Sequence, residues 1–122
     1  MLNILSVGLG GFIGAVCRYL IGLIPINETA NFPIKTFAVN VIGCVVIGIV
    51  TVVAAKNTSL NSHMLLFLKV GMCGGFTTFS TFALETANLM KNGNLMISFL
   101  YVLGSVLVGV GVIFAIECFT MK

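Results

Sequence analysis

The sequence predicts an all-α membrane protein with four transmembrane helices, the third of them broken near its middle. Only 7% of the 122 residues are charged, whereas soluble proteins carry about 25%, and the mean hydropathy is +1.20. The apolar residues form four segments, each long enough for the ~20 residues with which a helix crosses a bilayer core. Within the third segment, residues 71–82 are rich in glycine and threonine, which an ordinary membrane helix would not require.

Polar residues or prolines bound each apolar segment. Pro25 ends the first segment because proline cannot continue a helix, and a polar loop follows over 25–33. The N-terminus has no basic region of a signal peptide and enters a full-length span, so we expect no cleavage. Connections are short, and no room remains for a soluble domain. The spans are predicted at about 2–24, 34–55, 64–90 and 95–119, in a single domain over 1–122.

The remaining chemistry of the sequence excludes several classes of protein. The net charge of +3 is small and dispersed, so no nucleic-acid partner is expected. The four cysteines lie in apolar stretches, and we expect them to be small buried hydrophobic residues. The single histidine, His63, is expected in a solvated connection, and Glu117 is expected to be solvated near a membrane end. No nucleophile and base are paired, so we expect no enzyme.

The distribution of cations bears on how the chain inserts. With four spans, three cations lie on or near each side of the membrane, so the positive-inside rule selects no orientation. Either the few charges balance by chance, or copies insert both ways and pair as an antiparallel, dual-topology homodimer. A homodimer is expected in both cases, because one short four-span chain can hardly enclose a pathway. The two sets are Lys56, Lys69 and Lys122 on one side, and Arg18, Lys35 and Lys91 on the other.

The glycine- and threonine-rich run is the least helix-like part of the membrane segments. Glycine weakens a helix, and hydroxyl side chains can satisfy the carbonyls that a broken helix frees. Such backbone persists at membrane depth only where it is buried in protein or lines a polar cavity. The run therefore predicts a pathway for a small solute. It comprises Gly71, Gly74 and Gly75, the hydroxyls of Thr77, Thr78, Ser80 and Thr81, and the phenyl rings of Phe76, Phe79 and Phe82.

The first span carries a small-residue stripe and one guanidinium. Gly10, Gly14, Arg18 and Gly22 repeat at four-residue spacing and share one helix face. Small residues in this pattern let membrane helices approach closely, so packing is the expected role of the glycines. Arg18 has two interpretations: it snorkels to the interface, or it lies in a polar vestibule and attracts anions.

Polar residues at helical spacing also mark the second and fourth spans. Thr36 and Asn40 share a face of the second span, and Tyr101 and Ser105 share one in the fourth, continued by Gly109. Asn40 could join two helices, or its N–H groups could donate to a solute. Polar lines on three spans together indicate a polar track.

The chemistry of this track favours a small anion. Amide N–H groups and hydroxyls donate hydrogen bonds, and phenyl edges are electropositive. No ring of carboxylates is present to hold a permeating cation. Glu85 shares a face with Phe79 and Phe82, and it must find a partner, reach water or stay protonated. The carbonyls of the helix break suit a bound alkali cation. The spacing does not name the anion.

Three motifs resemble one known family, the CrcB/Fluc fluoride channels, along essentially the whole chain. Residues 10–19, GGFIGAVCRY, are similar to the family pattern G-G-x-x-G-A-x-x-R-Y. Residues 36–43 are similar to its T-x-x-x-N-x-x-G pattern. Residues 71–82, followed by Glu85, resemble its third-span signature. The motifs occur in the family's order.

The resemblance implies passive fluoride export through a dual-topology antiparallel homodimer with two pores, in the plasma membrane or, in bacteria, the inner membrane. It implies a structural Na⁺ at the centre of the dimer, held by the backbone carbonyls of Gly74 and Thr77 from both subunits. Gly109 departs from the pattern, because some members carry a hydroxyl there. The implied pore residues are Asn40, Phe79 and Phe82, with a polar track of Thr36, Ser80, Thr81, Tyr101 and Ser105 and with Glu85 near one end.

Two alternatives remain beside a fluoride-selective channel. A small multidrug-type, proton-coupled exporter has a similar length and four spans, but it needs a deep carboxylate in the first span, where this sequence has Arg18. A non-transporting membrane assembly subunit would explain the glycine stripe, but it would not require Asn40 or the phenylalanine ladder.

Overall fold

Four long helices make up almost all of the computed structural model, which describes residues 1–26 and 31–120. Helix α1 is Leu2–Gly22, α2 is Ile34–Lys56, the third segment is Ser62–Lys91, and the last helix is Leu95–Thr120. All four are long and apolar enough to cross a membrane. The described residues contain no strand. The predicted all-α fold class with four spans is confirmed, and the chain is a multi-pass membrane protein. Residues 27–30 of the predicted loop, and Lys122, lie outside the described residues.

The third segment is not one continuous α-helix. It begins with α3 (Ser62–Leu65), widens into a π-helical stretch (Leu66–Cys73) and ends its first half with α4 (Gly74–Phe76). Thr77 and Thr78 are extended, with ψ of 158° and 121°. Helix α5 (Phe79–Lys91) then completes the segment, and the fourth span is α6. The interruption therefore follows the glycines, which are themselves helical.

Close packing against α1 explains why the glycines stay helical. A Cβ added to Gly10 would lie 2.3 Å from the carbonyl oxygen of Phe67, and one on Gly14 would lie 2.3 Å from that of Met72. The same clash would occur at Gly71, whose Cβ would lie 2.8 Å from the Gly10 Cα. Side chains larger than hydrogen would separate these backbones. Within the glycine stripe, Gly10 and Gly14 thus have the predicted packing role. Gly22 does not, because a Cβ there would meet nothing within 4 Å.

Helices α2, α5 and α6 form the other half of the bundle. Along the α2–α6 contact, a Cβ on Gly48 would lie 3.2 Å from Ile116, and one on Gly109 would lie 3.2 Å from the sulfur of Cys44. Gly109 therefore serves helix packing. Two of the buried side chains lie where the second half of the third segment meets α6: Tyr101 is fully buried, and Leu89 is 7% exposed.

Several expectations about single residues are corrected. Cys73 is buried and Cys44 half-buried, but Cys17 and Cys118 are exposed on the outer face of the bundle. All four are free thiols. His63 is half-buried in α3, with its Nδ1 shielded, and its N–H donates to the Asn61 Oδ1 at the start of that helix. Glu117 is half-buried near the end of α6, and its solvation stays a prediction.

Candidate ion pathway

The break in the third segment is held by Asn40 of α2. The Asn40 Nδ2 donates to the Thr78 carbonyl oxygen at 3.1 Å, and the Thr78 N–H donates to the Asn40 Oδ1 at 2.8 Å. One amide thereby satisfies both backbone groups of an extended residue at membrane depth, where an unpaired peptide group would cost about 1–3 kcal/mol. Asn40 is thus an interhelical link. Its second N–H makes no hydrogen bond to a described residue.

Thr78 also begins α5. Its Oγ1 accepts the Thr81 N–H at 3.2 Å, as an N-cap residue does. The same hydroxyl donates to the Thr81 Oγ1 at 3.0 Å. Thr78 therefore uses its N–H, carbonyl and hydroxyl to join α2 to the two halves of the third segment.

The break frees backbone carbonyls that an intact helix would use. In an α-helix the N–H of Thr78 would bond the Gly74 carbonyl, and that of Thr81 would bond the Thr77 carbonyl. Here those two N–H groups donate to the side chains of Asn40 and Thr78. The carbonyl of Gly75 accepts from the Arg18 Nε at 3.2 Å.

Gly74 and Thr77 suit the cation that the resemblance implies. Their carbonyls are released from helical pairing, and both residues line one cavity. Hard cations prefer oxygen ligands of this kind. Two carbonyls from one chain would leave such a cation half-coordinated, so a second copy would have to supply the rest. The described part of the chain contains no cluster of three histidine, cysteine or acidic side chains that could hold a metal.

A polar cluster joins α2, α5 and α6 next to the break. The Thr36 hydroxyl donates to the Glu85 Oε1 at 2.5 Å, and the Tyr101 hydroxyl donates to the Oε2 at 3.2 Å. An acid in a membrane span must find a partner, reach water or stay protonated. Glu85 has found partners, because both its carboxyl oxygens accept hydrogen bonds. Polar residues of three predicted spans come together here.

Aromatic rings extend from this cluster to the outer face of the bundle. The ring of Phe82 lies 5.0 Å from that of Tyr101 and 5.9 Å from that of Phe79, measured between centroids. Phe32 contacts Tyr101 edge-on at 5.4 Å. Phe79 is 79% exposed, so its ring is accessible to a second copy or to a passing solute.

Thr78 lines two cavities. The first has a volume of about 660 Å³ and walls of both polar and apolar side chains. The second, about 460 Å³, is largely apolar. The first is lined by Arg18, Lys35, Thr36, Thr78, Thr81 and Glu85 among others. Asn40, Lys69, Gly74, Thr77, Thr78, Phe79, Phe82 and Ser105 are among the residues that line the second.

The predicted track is divided between these cavities. Thr36, Thr81 and Glu85 lie on the first, whereas Ser105 lies on the second. The Ser105 Oγ is shielded and has no hydrogen-bond partner among the described residues. Ser80 is exposed and lines neither cavity. Arg18 lines the first cavity and donates to the Gly75 carbonyl oxygen, and its role as a vestibule residue stays a prediction.

Sequence reasoning did not single out Lys69 or the double role of Thr78. Lys69 entered only the count of charges, although a lysine inside an apolar span is itself a signal of function. Thr78 was included among the hydroxyls of the break. Its role as the link between three helices depends on Asn40, which is 38 positions away in the chain.

Comparison with known proteins identifies the family. The model of the CrcB-like protein family, Camphor Resistance (CrcB), matches residues 5–116. The chain belongs to the CrcB family. A curated CrcB-family relative from Chlorobaculum tepidum, the fluoride-specific ion channel FluC, is 46% identical over 94% of this chain and 91% of its own length.

Other CrcB-family relatives carry the same name. The FluC proteins of Phocaeicola vulgatus and Agrobacterium fabrum are 42% and 41% identical, over 90% and 94% of this chain. The match covers 91% and 93% of those proteins. The resemblance recognised from the three motifs is thereby confirmed. By these names the relatives are ion channels and not enzymes.

Proposed function

We propose that this protein is a fluoride-selective ion channel that lets fluoride leave the cell passively and so lowers its cytoplasmic concentration. The observation that carries the proposal is the pair of cavities that Thr78 lines, in a chain whose relatives are named fluoride-specific channels. The first cavity presents cations and hydroxyls, and the second presents phenyl rings and an amide. These groups suit a small anion that accepts hydrogen bonds strongly.

Passage replaces the hydration shell of fluoride in steps. Arg18 and Lys35 attract the anion to the first cavity, where the hydroxyls of Thr36 and Thr81 lie on the wall. Conduction requires each contact to be weak enough for the ion to leave again. Glu85 fixes the positions of the two hydroxyl groups that it accepts from.

Beyond Thr78, the walls offer fewer and different donors. The second N–H of Asn40, the Ser105 hydroxyl and the ring edges of Phe79 and Phe82 take over from water. Ser80 belongs to the proposed track only if a second copy covers it. The proposal keeps Gly109 outside the track, because it packs against Cys44.

The functional unit we propose is an antiparallel, dual-topology homodimer in the plasma membrane, which in a bacterium is the inner membrane. Phe79 and many other large apolar side chains are exposed on the single chain, and a second copy would enclose the open second cavity. The carbonyls of Gly74 and Thr77 from both copies would hold the structural Na⁺. This cation would fix the two breaks against each other.

The two rival functions are less consistent with the site. A proton-coupled exporter would require a deep acid on α1, but the charged residue there is Arg18. A non-transporting subunit would not require Thr36, Glu85 and Tyr101 to be joined beside a cavity of this size.

The deciding experiment is ion efflux from liposomes that contain the purified protein. Fluoride and chloride electrodes would follow release after a potassium ionophore is added. We expect rapid fluoride release, little chloride release, and dependence on the ionophore, because a passive channel carries net charge. Fluoride release without the ionophore would indicate coupled exchange, and no release from folded protein would exclude the channel.

A further inference from the structure

Lys69 is an unexplained cation inside a membrane span. It lies in the π-helical stretch Leu66–Cys73 and is half-buried. No hydrogen bond or ion pair joins it to another of the described residues. A charged side chain within a span is costly, and such residues generally face a water-filled cavity or mark an ion pathway.

The surroundings of Lys69 place it at the second cavity. It lines that cavity together with Asn40, Phe79 and Ser105, and it is the one charged side chain among the lining residues found. Its charge therefore acts on the cavity and its walls.

We propose that Lys69 is the cation that draws fluoride into the second cavity, and so a residue that sets the rate of anion entry into this channel. Apolar walls have a low dielectric constant and concentrate the field of a charge, and such focusing raises the local concentration of the opposite ion. Ser105, whose hydroxyl has no hydrogen-bond partner among the described residues, and Asn40 line the same cavity. Lys69 thus does at one end of the path what Arg18 and Lys35 do at the other.

This inference rests on the proposed fluoride channel, and the test separates the two. Wild-type fluoride efflux is measured first, and its absence would overturn the channel itself. With an active wild type, Lys69→Met removes the charge but keeps most of the side-chain length, and Lys69→Arg keeps the charge. At low ionic strength we expect Lys69→Met to lower fluoride flux about tenfold and Lys69→Arg to retain it.

The matched control is Lys56→Met. Lys56 is exposed, lines neither cavity and belongs to the same side of the charge balance as Lys69. The two neutral variants therefore disturb membrane orientation equally, and a lower flux in Lys69→Met than in Lys56→Met reports the change at Lys69.

Ionic strength distinguishes attraction from packing. Raising the salt with impermeant ions from about 0.01 M to 0.15 M shortens the Debye length from ~30 Å to ~8 Å. The ratio of the wild-type fluoride flux to the Lys69→Met fluoride flux should then be smaller. Equal flux in wild type and folded Lys69→Met, or a ratio that salt does not change, would overturn the inference. If Lys69→Met does not fold, Lys69→Gln replaces it; failure of both would assign Lys69 to packing and also overturn the inference.

Discussion

At the scale of single residues, Asn40 has both a structural role at the helix break and a proposed role in the ion pathway. Its amide is needed because Thr78 presents a donor and an acceptor at once, and no other uncharged side chain of that size except an amide matches both. In Asn40→Asp the carboxylate would face the Thr78 carbonyl oxygen without a donor. We expect a stability loss of about 1–3 kcal/mol and loss of fluoride flux, since a negative charge then faces the second cavity.

Thermal unfolding in detergent and liposome efflux would measure the two effects of Asn40→Asp. The control is Asn57→Asp at the other end of α2, where the side-chain oxygen only accepts hydrogen bonds, from the N–H and hydroxyl of Ser59. A carboxylate can accept both, so this variant should keep its stability and its flux. Normal flux in Asn40→Asp would remove Asn40 from the pathway.

Phe82 connects the buried polar cluster to the exposed ring of Phe79. Phe82→Ala removes two ring contacts, each worth about 1 kcal/mol. We expect a folded protein with about tenfold lower fluoride flux, which corresponds to ~1.4 kcal/mol of lost stabilisation of the passing ion. Phe114→Ala is the control, because that ring is 67% exposed and lines neither cavity. Equal flux in both variants would mean that Phe82 only packs.

The sequence could predict which residues need partners, but not which partners they find. Asn40 and Glu85 are unusually polar for a membrane span, and this polarity alone identified them as residues that need partners. Their partners Thr78 and Thr36 lie 38 and 49 positions away in the chain, so only the packing of α2 against the third segment brings them together. Ser80 and Ser105 have similar local sequence signals, yet one is exposed and the other lines a cavity.

At the scale of helices, contact between α1 and the first half of the third segment depends on glycine. Gly14→Ala would place a methyl group 2.3 Å from the Met72 carbonyl oxygen and 2.8 Å from the Phe76 nitrogen. Both are backbone atoms, so the helices must separate. We expect a loss of about 1–3 kcal/mol, measured by thermal unfolding.

Gly22→Ala provides the comparison on the same helix. A methyl group there would meet nothing within 4 Å, and alanine favours a helix over glycine by up to about 1 kcal/mol. The variant should be as stable as the wild type or more so. If Gly14→Ala were equally harmless, the close approach of the two helices would not limit stability.

The interruption of the third segment shows the limit of local propensity. Glycine weakens an isolated helix, and the glycines and threonines together placed the expected break within residues 71–82. In the folded chain Gly71 and Gly75 are needed where α1 approaches most closely, and the segment stays helical through Phe76. The chain opens instead at Thr77 and Thr78, where Asn40 and a threonine cap replace the lost backbone bonds. Contacts with other helices, and not local helix propensity, therefore determine where the third segment is interrupted.

At the scale of the whole molecule, a single chain leaves most of its apolar side chains uncovered. Ile4, Phe12 and Phe114 are 73%, 69% and 67% exposed. Lipid can cover such faces, but lipid cannot satisfy the freed carbonyls around the break, because it offers no partner for them at that depth. Two residues that carry them, Gly74 and Thr77, line a cavity that opens to the surface of the bundle. A second copy at this surface would bring two breaks face to face.

The balance of cations across the membrane makes this pairing testable through orientation. Because three cations lie on each side, small changes of charge should select one insertion. One variant, Lys91→Gln with Thr58→Lys, adds charge to the side of the N-terminus and favours a cytoplasmic N-terminus. The other, Lys56→Gln with Lys122→Gln, removes charge from that side and favours the opposite orientation. In each, an N-terminal epitope should become accessible from only one face of membrane vesicles, whereas the wild type should show it on both.

Fluoride resistance then tests whether both orientations are needed. An antiparallel dimer requires copies of both kinds, so a host that lacks its own fluoride exporter should remain sensitive with either variant alone. Co-expression of the two should restore growth, because each then supplies the copy that the other lacks. The wild type and a variant that exchanges Lys56 for Arg, which leaves the charge balance unchanged, should protect without a partner. Full protection by one strongly biased variant alone would show that parallel copies, or single chains, conduct, and would exclude the antiparallel dimer as the functional unit.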